Sequence, residues 1–117
     1  MQTKRFERKW ICIGPLANAN LRPYNHTIGL YKHIVKGRVM YIGKATEINN
    51  GGFRKRLSDY RRDSNSARKH SSGQIIHEHL YEITTYLLPI DTIYETTILE
   101  KEFIRKYNPP WNVQYNR

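Results

Sequence analysis

Between Thr27 and Ala45 the chain runs through two β-prone stretches, Thr27–Val35 and Val39–Ala45, separated by Lys36-Gly37-Arg38. A short link carrying a Gly between two such runs predicts a β-hairpin. Each run holds one Gly close to a Tyr: Gly29 with Tyr31 in the first, Gly43 with Tyr41 in the second. Gly inside a strand marks a place where another backbone or a ligand comes close. The hairpin therefore offers two phenols beside two bare stretches of backbone, although β-propensity alone also accounts for Tyr in strands.

After the hairpin the period changes. Asn49-Asn50-Gly51-Gly52 reads as a turn, and Phe53, Leu57 and Tyr60 fall at i, i+4 and i+7, which predicts a helix from Phe53 to Arg62 with one face inward. Arg56 sits beside that apolar stripe, unlike Arg54, Arg61 and Arg62. Gln74–Glu82 reads as a helix and Ile83–Leu88 as a strand ended by Pro89. Asp91 is the expected N-cap of a helix reaching Tyr107, stopped by Asn108-Pro109-Pro110. Ile93, Thr97, Glu100 and Ile104 share a face of it by i+3 and i+4 steps. Glu100 is then either a boundary residue paired with Lys101 or Arg105, or a carboxylate looking into a pocket.

Upstream, Trp10-Ile11-Cys12-Ile13 reads as a short buried strand broken by Gly14-Pro15, and Ala17–Asn25 as loop. Residues 1–26 form an N-terminal arm ahead of a domain over 27–117. The plainest role for the arm is an extra edge strand; the sharper one is contact with DNA or a second subunit. The tail around Trp111 is expected to dock.

Composition narrows the partners. At 117 residues the chain fits one domain. One cysteine, Cys12, excludes an intrachain disulfide framework or a multi-thiolate zinc cluster, and it is expected as a small buried hydrophobe. No apolar run is long enough to span a membrane and no signal-peptide pattern opens the chain, so an intracellular protein without a membrane partner is expected. The net charge is +10, with 20 Lys+Arg against 10 Asp+Glu. Phe53–Lys69 concentrates the excess: Arg54, Lys55, Arg56, Arg61, Arg62, Arg68 and Lys69 face only Asp59 and Asp63. Such a balance points to a phosphate-binding surface, with nucleic acid as partner. His77-Glu78-His79 is no metal motif, because i and i+2 side chains on a helix point to different faces.

Two Tyr, an Arg, a Lys and a Glu on separate elements suit hydrolysis of a phosphodiester. That reaction needs a water nucleophile, a proton acceptor, positive charge for the pentacovalent phosphate and help for the leaving oxygen. One divalent ion held by a Glu supplies the last, and hard oxygen ligands favour Mg2+, with Mn2+ as a substitute.

Gly29-Leu30-Tyr31, Tyr41-Ile42-Gly43-Lys44, Arg56, Tyr60, Glu100 and Asn112, in that order and spacing, resemble the GIY-YIG nuclease superfamily over residues 27 to 113. Tyr107-Asn108-Pro109-Pro110-Trp111-Asn112 further resembles its small stand-alone members, phage endonuclease II and certain type II restriction enzymes. The resemblance implies an α+β fold, an α/β sandwich in which a small three-stranded antiparallel sheet begun by the hairpin is flanked by helices. It implies Tyr31 as general base, as a phenolate helped by neighbouring positive charge, Tyr41 orienting the water or phosphate, and Lys44 and Arg56 stabilising phosphate charge. Tyr60 would contact the phosphate, Glu100 would hold the metal, and Asn112 would brace the site.

The function implied is a Mg2+-dependent endonuclease cutting double-stranded DNA to 5′-phosphate ends. A sequence-specific restriction type of phage or bacterial origin is favoured, working as a homodimer or homotetramer. Arg54, Lys55, Arg61, Arg62, Arg68 and Lys69 are the expected DNA contacts. The alternatives are a non-catalytic nucleic-acid-binding module and a structure-specific repair or recombination nuclease.

Overall fold

Alternation within the hairpin sorts its residues onto two faces, and the helices cover both. In the computed structural model, which describes residues 2–62 and 71–112, four strands form one antiparallel sheet. They are β1 (Ile11–Pro15), β2 (Gly29–Val35), β3 (Arg38–Ala45) and β4 (Thr84–Pro89), in spatial order β1-β4-β2-β3. The helices are α1 (Gly52–Arg61), α2 (Ser71–Glu78) and α3 (Ile93–Tyr107), with 3-10 turns at Gln2–Phe6, Arg22–Tyr24 and Leu80–Glu82.

The sheet has four strands where three were expected. The extra one is β1, which pairs antiparallel with β4, so part of the N-terminal stretch is an edge strand of the same sheet. Its Cys12 is exposed, not buried, because a strand on the sheet's margin has one side open. The hairpin turn is tighter than its sequence implied. Lys36 (φ 52°) and Gly37 (φ 79°) form a two-residue connection with positive φ at both positions, and Arg38 already pairs with Val35. Between the pairs His33–Tyr41 and Ile34–Val39 the register shifts, leaving Met40 as an extra residue on β3.

One face of the sheet packs Tyr31 and Leu87 with Phe53, Leu57 and Tyr60 of α1 and Ile76 of α2. The other packs Leu30, Ile42 and Leu88 with Leu99, Phe103 and Ile104 of α3, and with Phe6 from the N-terminal 3-10 turn. α1 starts where expected because Gly52 (φ 47°) brings its backbone against Thr27. A Cβ there would lie 2.4 Å from the Thr27 carbonyl oxygen, the same oxygen that accepts from Phe53 N–H at 3.0 Å. α3 is capped by Thr92, one residue after the expected Asp91: its side chain accepts from Glu95 N–H at 3.0 Å. Glu100 and Ile104 are on the buried face of α3, but Ile93 is half-exposed, and Thr96, Leu99 and Phe103 complete that face. Among the described residues no helix is long and apolar enough to cross a membrane.

Candidate active site across an edge strand

The hairpin's parity decides where the chemistry falls. Tyr31 opposes Gly43 and His33 opposes Tyr41 on one face, while Leu30 opposes Lys44 on the other. Since β3 is the outer strand, Tyr41 and Lys44 project to either side of one sheet edge. Gly43 makes the tyrosine side possible. A Cβ there would sit 2.4 Å from the Tyr31 hydroxyl oxygen and 2.8 Å from the Tyr41 ring, so only a bare backbone lets the Tyr31 phenol lie flat against β3.

Tyr31 and Tyr60 are joined hydroxyl to hydroxyl at 2.7 Å, both buried. Their ring centroids are 6.1 Å apart, and Tyr41 lies 6.2 Å from Tyr31. Burial, and next the neighbouring Tyr41, push the Tyr31 phenol far above its ordinary value; Arg56 and the Tyr60 hydrogen bond pull it down without reversing this. Burial also drives Tyr41 and Tyr60 well up. In this arrangement all three are neutral at pH 7, so the expected phenolate at Tyr31 is not pre-formed. Its neutral oxygen can accept a hydrogen bond, and its hydroxyl is paired with that of Tyr60, where either oxygen can be the donor.

Arg56 closes the mouth of this side, 3.8 Å from Glu47 and about half exposed (45%). Burial works against its charge, whereas the phenols of Tyr31, Tyr60 and Tyr41 once ionised, and Glu47, favour it; at pH 7, with the phenols neutral, Glu47 is the charged partner beside it. On the opposite side Lys44 Nζ lies 3.9 Å from Glu100 and 3.5 Å from the Thr97 hydroxyl. Glu100 is only 6% exposed. Burial raises its carboxyl, and Lys44, Lys101 and Arg56 oppose that rise. A carboxylate this enclosed, facing cations, is a site for positive charge. Among the described residues no three His, Cys, Asp or Glu come together as a metal cluster. The donor set thus fits Mg2+, which accepts one carboxylate and completes its shell from water and phosphate.

Asn112 holds the edge itself. Its Oδ1 accepts from Ile42 N–H at 2.9 Å and its Nδ2 donates to Ile42 C=O at 2.8 Å. Trp111 N–H donates to Met40 C=O at 2.9 Å, so the tail lies along β3 and meets the extra residue of the bulge.

Two features escaped the sequence. His33, fully buried, touches the rings of Tyr31, Tyr41 and Tyr60 with centroids 5.1–5.9 Å away. Its Nδ1 meets the Thr85 hydroxyl at 2.9 Å, its Nε2 has no partner among the described residues, and burial holds its pKa at about 3. The signal for it was parity: two residues after Tyr31 means the same face. The other is Arg61, expected on DNA. Its Nε donates to Leu16 C=O at 2.7 Å and its guanidinium NH2 to Ala19 C=O at 2.6 Å, so it clamps the loop after β1. Arg54, Lys55 and Arg62 do line a shallow groove with Asn25, Gly51 and Ser58. There Lys55 is 3.9 Å from Glu47 and Arg62 is ion-paired with Asp59. Arg68 and Lys69 lie outside the described residues. His77 and His79 donate from Nδ1 to the Tyr60 and Ile75 carbonyls at 2.8 and 2.9 Å, which ties both to the scaffold.

A family model described as a UvrC-like GIY-YIG domain matches residues 27–113. The UvrABC system protein C of Shewanella putrefaciens is 33% identical over 98 residues, covering 83% of this chain and 14% of the relative. That of Acinetobacter baumannii is 30% identical over 105 residues, covering 82% and 16%. The chain thus spans about one seventh of the length of these relatives. Among solved structures, the GIY-YIG N-terminal endonuclease domain of Thermotoga maritima UvrC, bound to magnesium as its catalytic cation, aligns with TM-score 0.55. Identity is 27%, over 79% of this chain and 94% of that one. A point mutant of the same domain with an Asn replaced by Ala aligns at 26% identity with the same TM-score, over 78% of this chain and 92% of that one. These relatives are UvrC proteins, so they lend no support to the expected likeness to the phage and restriction members. By the family match and by identity over most of its length, the chain belongs to the UvrC-like GIY-YIG domains.

Proposed function

We propose that this chain is a Mg2+-dependent DNA endonuclease domain that hydrolyses a phosphodiester to a 5′-phosphate and a 3′-hydroxyl. The observation that carries the reading is the division of the site by one edge strand, with hydrogen-bonded phenols on one side and a buried, cation-facing Glu100 on the other. Residues 27–117 carry the chemistry, while residues 1–26 extend the sheet and cover α3.

Glu100 holds the ion, which when bound supplies charge stabilisation at the phosphoryl oxygens. Tyr31 accepts a hydrogen bond from the attacking water and takes its proton as the O–P bond forms, while its own hydroxyl proton passes to Tyr60 and Tyr60's passes on through the partly exposed Tyr41 to solvent. Tyr41 orients that water. Arg56 offers its planar fork to two phosphate oxygens, and Lys44 a point charge from the Glu100 side. The P–O3′ bond breaks and O3′ takes a proton from solvent water, which balances the one released through the phenols. Asn112 keeps Ile42, and with it the flanking Tyr41 and Gly43, in register.

The substrate is double-stranded DNA, and the match to UvrC endonuclease domains favours a structure-specific repair nuclease at least as much as a sequence-specific restriction type. A cut in one strand needs one site, whereas cutting both strands calls for the expected dimer or tetramer.

The test is cleavage of supercoiled plasmid, and of matched bubble-containing and plain duplexes, in Mg2+ and in EDTA. Wild type is expected to nick in Mg2+ only and to favour the distorted duplex, and Glu100→Ala to lose at least about 10^3-fold in rate. Wild-type cutting by Glu100→Ala would overturn the site. Discrete linear fragments from plain DNA would favour the restriction reading.

A further inference from the structure

Residues 2–10 lie against the C-terminal half of α3. Phe6 shares a buried cluster with Phe103 and Ile104, Trp10 meets the Phe103 ring edge-on at 5.3 Å, and Glu7 is held by Lys106 and, at 3.1 Å, by Tyr107. The outer surface of this junction is strongly basic. Lys4, Arg5, Arg8 and Lys9 come from the N-terminal segment and Lys101, Arg105 and Lys106 from α3, and all seven are exposed. The carboxylates these two segments set against them are Glu7, already engaged by Lys106, and Glu102.

The cations are not loosely strung. Arg5 and Lys9 both stand over the Phe6 ring, 5.5 and 5.3 Å from its centroid, so one ring anchored in the core fixes two charges. Lys101 directly follows Glu100 and acts on its carboxyl, so the basic path begins at the active site. From Glu100 to the end of α3 the helix rises about 10 Å at 1.5 Å per residue, or roughly three base pairs of duplex. The N-terminal part of the patch lies outside residues 27–113, the span shared with the family, and the chemistry proposed above does not use it.

We propose that the N-terminal 3-10 turn and the C-terminal half of α3 form a second phosphate-binding surface, which holds the DNA backbone a few base pairs to one side of the scissile bond. The inference rests on DNA being the substrate. Exposed Lys and Arg at this density, of which Lys106 alone is ion-paired among the described residues, match a run of phosphates and read no sequence. The N-terminal segment thereby serves as a track that orients the duplex across Glu100.

The test is binding of a fluorescently labelled duplex in EDTA across a NaCl series, followed by cleavage in Mg2+. Neutralising Lys4, Arg5, Arg8 and Lys9 together as Gln removes their charge and keeps a polar side chain at each position, and a second variant joins Lys101→Gln with Arg105→Gln. Melting curves confirm folding for both. The slope of log affinity against log salt is expected to flatten by about two to four in the fourfold variant and by about two in the other, at about 0.9 for each phosphate no longer neutralised. KM for a long duplex is expected to rise about tenfold. Slopes unchanged in both folded variants, while wild type binds and cuts, would overturn this surface and leave the nuclease reading standing. A wild type that neither binds nor cuts DNA would overturn both.

Discussion

The two sides of β3 are built on opposite physical terms. On the Tyr31 side Tyr31, Tyr60 and His33 are buried and uncharged, Tyr41 is partly exposed and Arg56 brings a charge to the mouth, with a 2.7 Å hydroxyl pair as the main polar link. On the Glu100 side a buried carboxylate faces Lys44, 37% exposed, and the site opens to solvent through it. In the proposed mechanism the first side moves protons, with Arg56 as the charge at its mouth, and the second stabilises charge where phosphate and cation enter. One strand can serve both because its side chains alternate. Passing from Tyr41 to Lys44 is thus a change of dielectric environment more than a change of place.

Breaking the proton side has the largest expected effect. Tyr31→Phe removes the acceptor but keeps the ring, so single-turnover cleavage should fall about 10^2- to 10^4-fold while the melting temperature changes little. A variant cutting at the wild-type rate would show that another group takes the water's proton.

Gly43→Ala sharpens the comparison, since its Cβ collides with Tyr31 and Tyr41 and leaves Lys44 and Glu100 in place. It should cost about 1–3 kcal/mol in urea unfolding and depress cleavage, with DNA affinity retained. A fully stable, active Gly43→Ala enzyme would mean that the phenols do not need this close approach.

The smallest effect at neutral pH concerns His33. Its folded pKa, about 3, lies below the value of about 6.5 expected in the unfolded chain. The unfolded state therefore binds a proton that the native state refuses. Stability from the neutral imidazole is full above about pH 6.5 and declines as pH falls toward 3, by up to about 1.4 kcal/mol per pH unit. His33→Leu should make thermal stability less acid-sensitive between about pH 6.5 and 4. An equally steep acid limb in the variant would place the titrating group elsewhere.

What could be read from the sequence divides by range. The hairpin, α1 and α3 were legible because turn residues and a 3.6-residue period are local signals. β1 was legible as a short strand but not as β4's partner, since nothing in Ile11–Pro15 specifies a strand so distant along the chain. Tyr31, Tyr41, Arg56 and Glu100 were singled out by family spacing, and the structure places all four around β3. Arg61 was misjudged because a guanidinium bound for phosphate and one bound for the Leu16 and Ala19 carbonyls are the same residue in a sequence. His33 hid inside a β-prone run, where only the count from Tyr31 placed it among the phenols.

A sheet margin is an invitation to another strand, and an active site on a margin sharpens the hazard: whatever leaves room for a DNA backbone also leaves room for a polypeptide. The primary amide of Asn112 presents to Ile42 the same donor and acceptor that a neighbouring peptide group would, and Trp111 offers its N–H to Met40 in the same way. The chain's own tail thus acts as a stopper that ends the sheet at β3. It bars growth by strand addition at the place where the catalytic groups must stay accessible, with one side chain and one peptide N–H in place of a fifth strand.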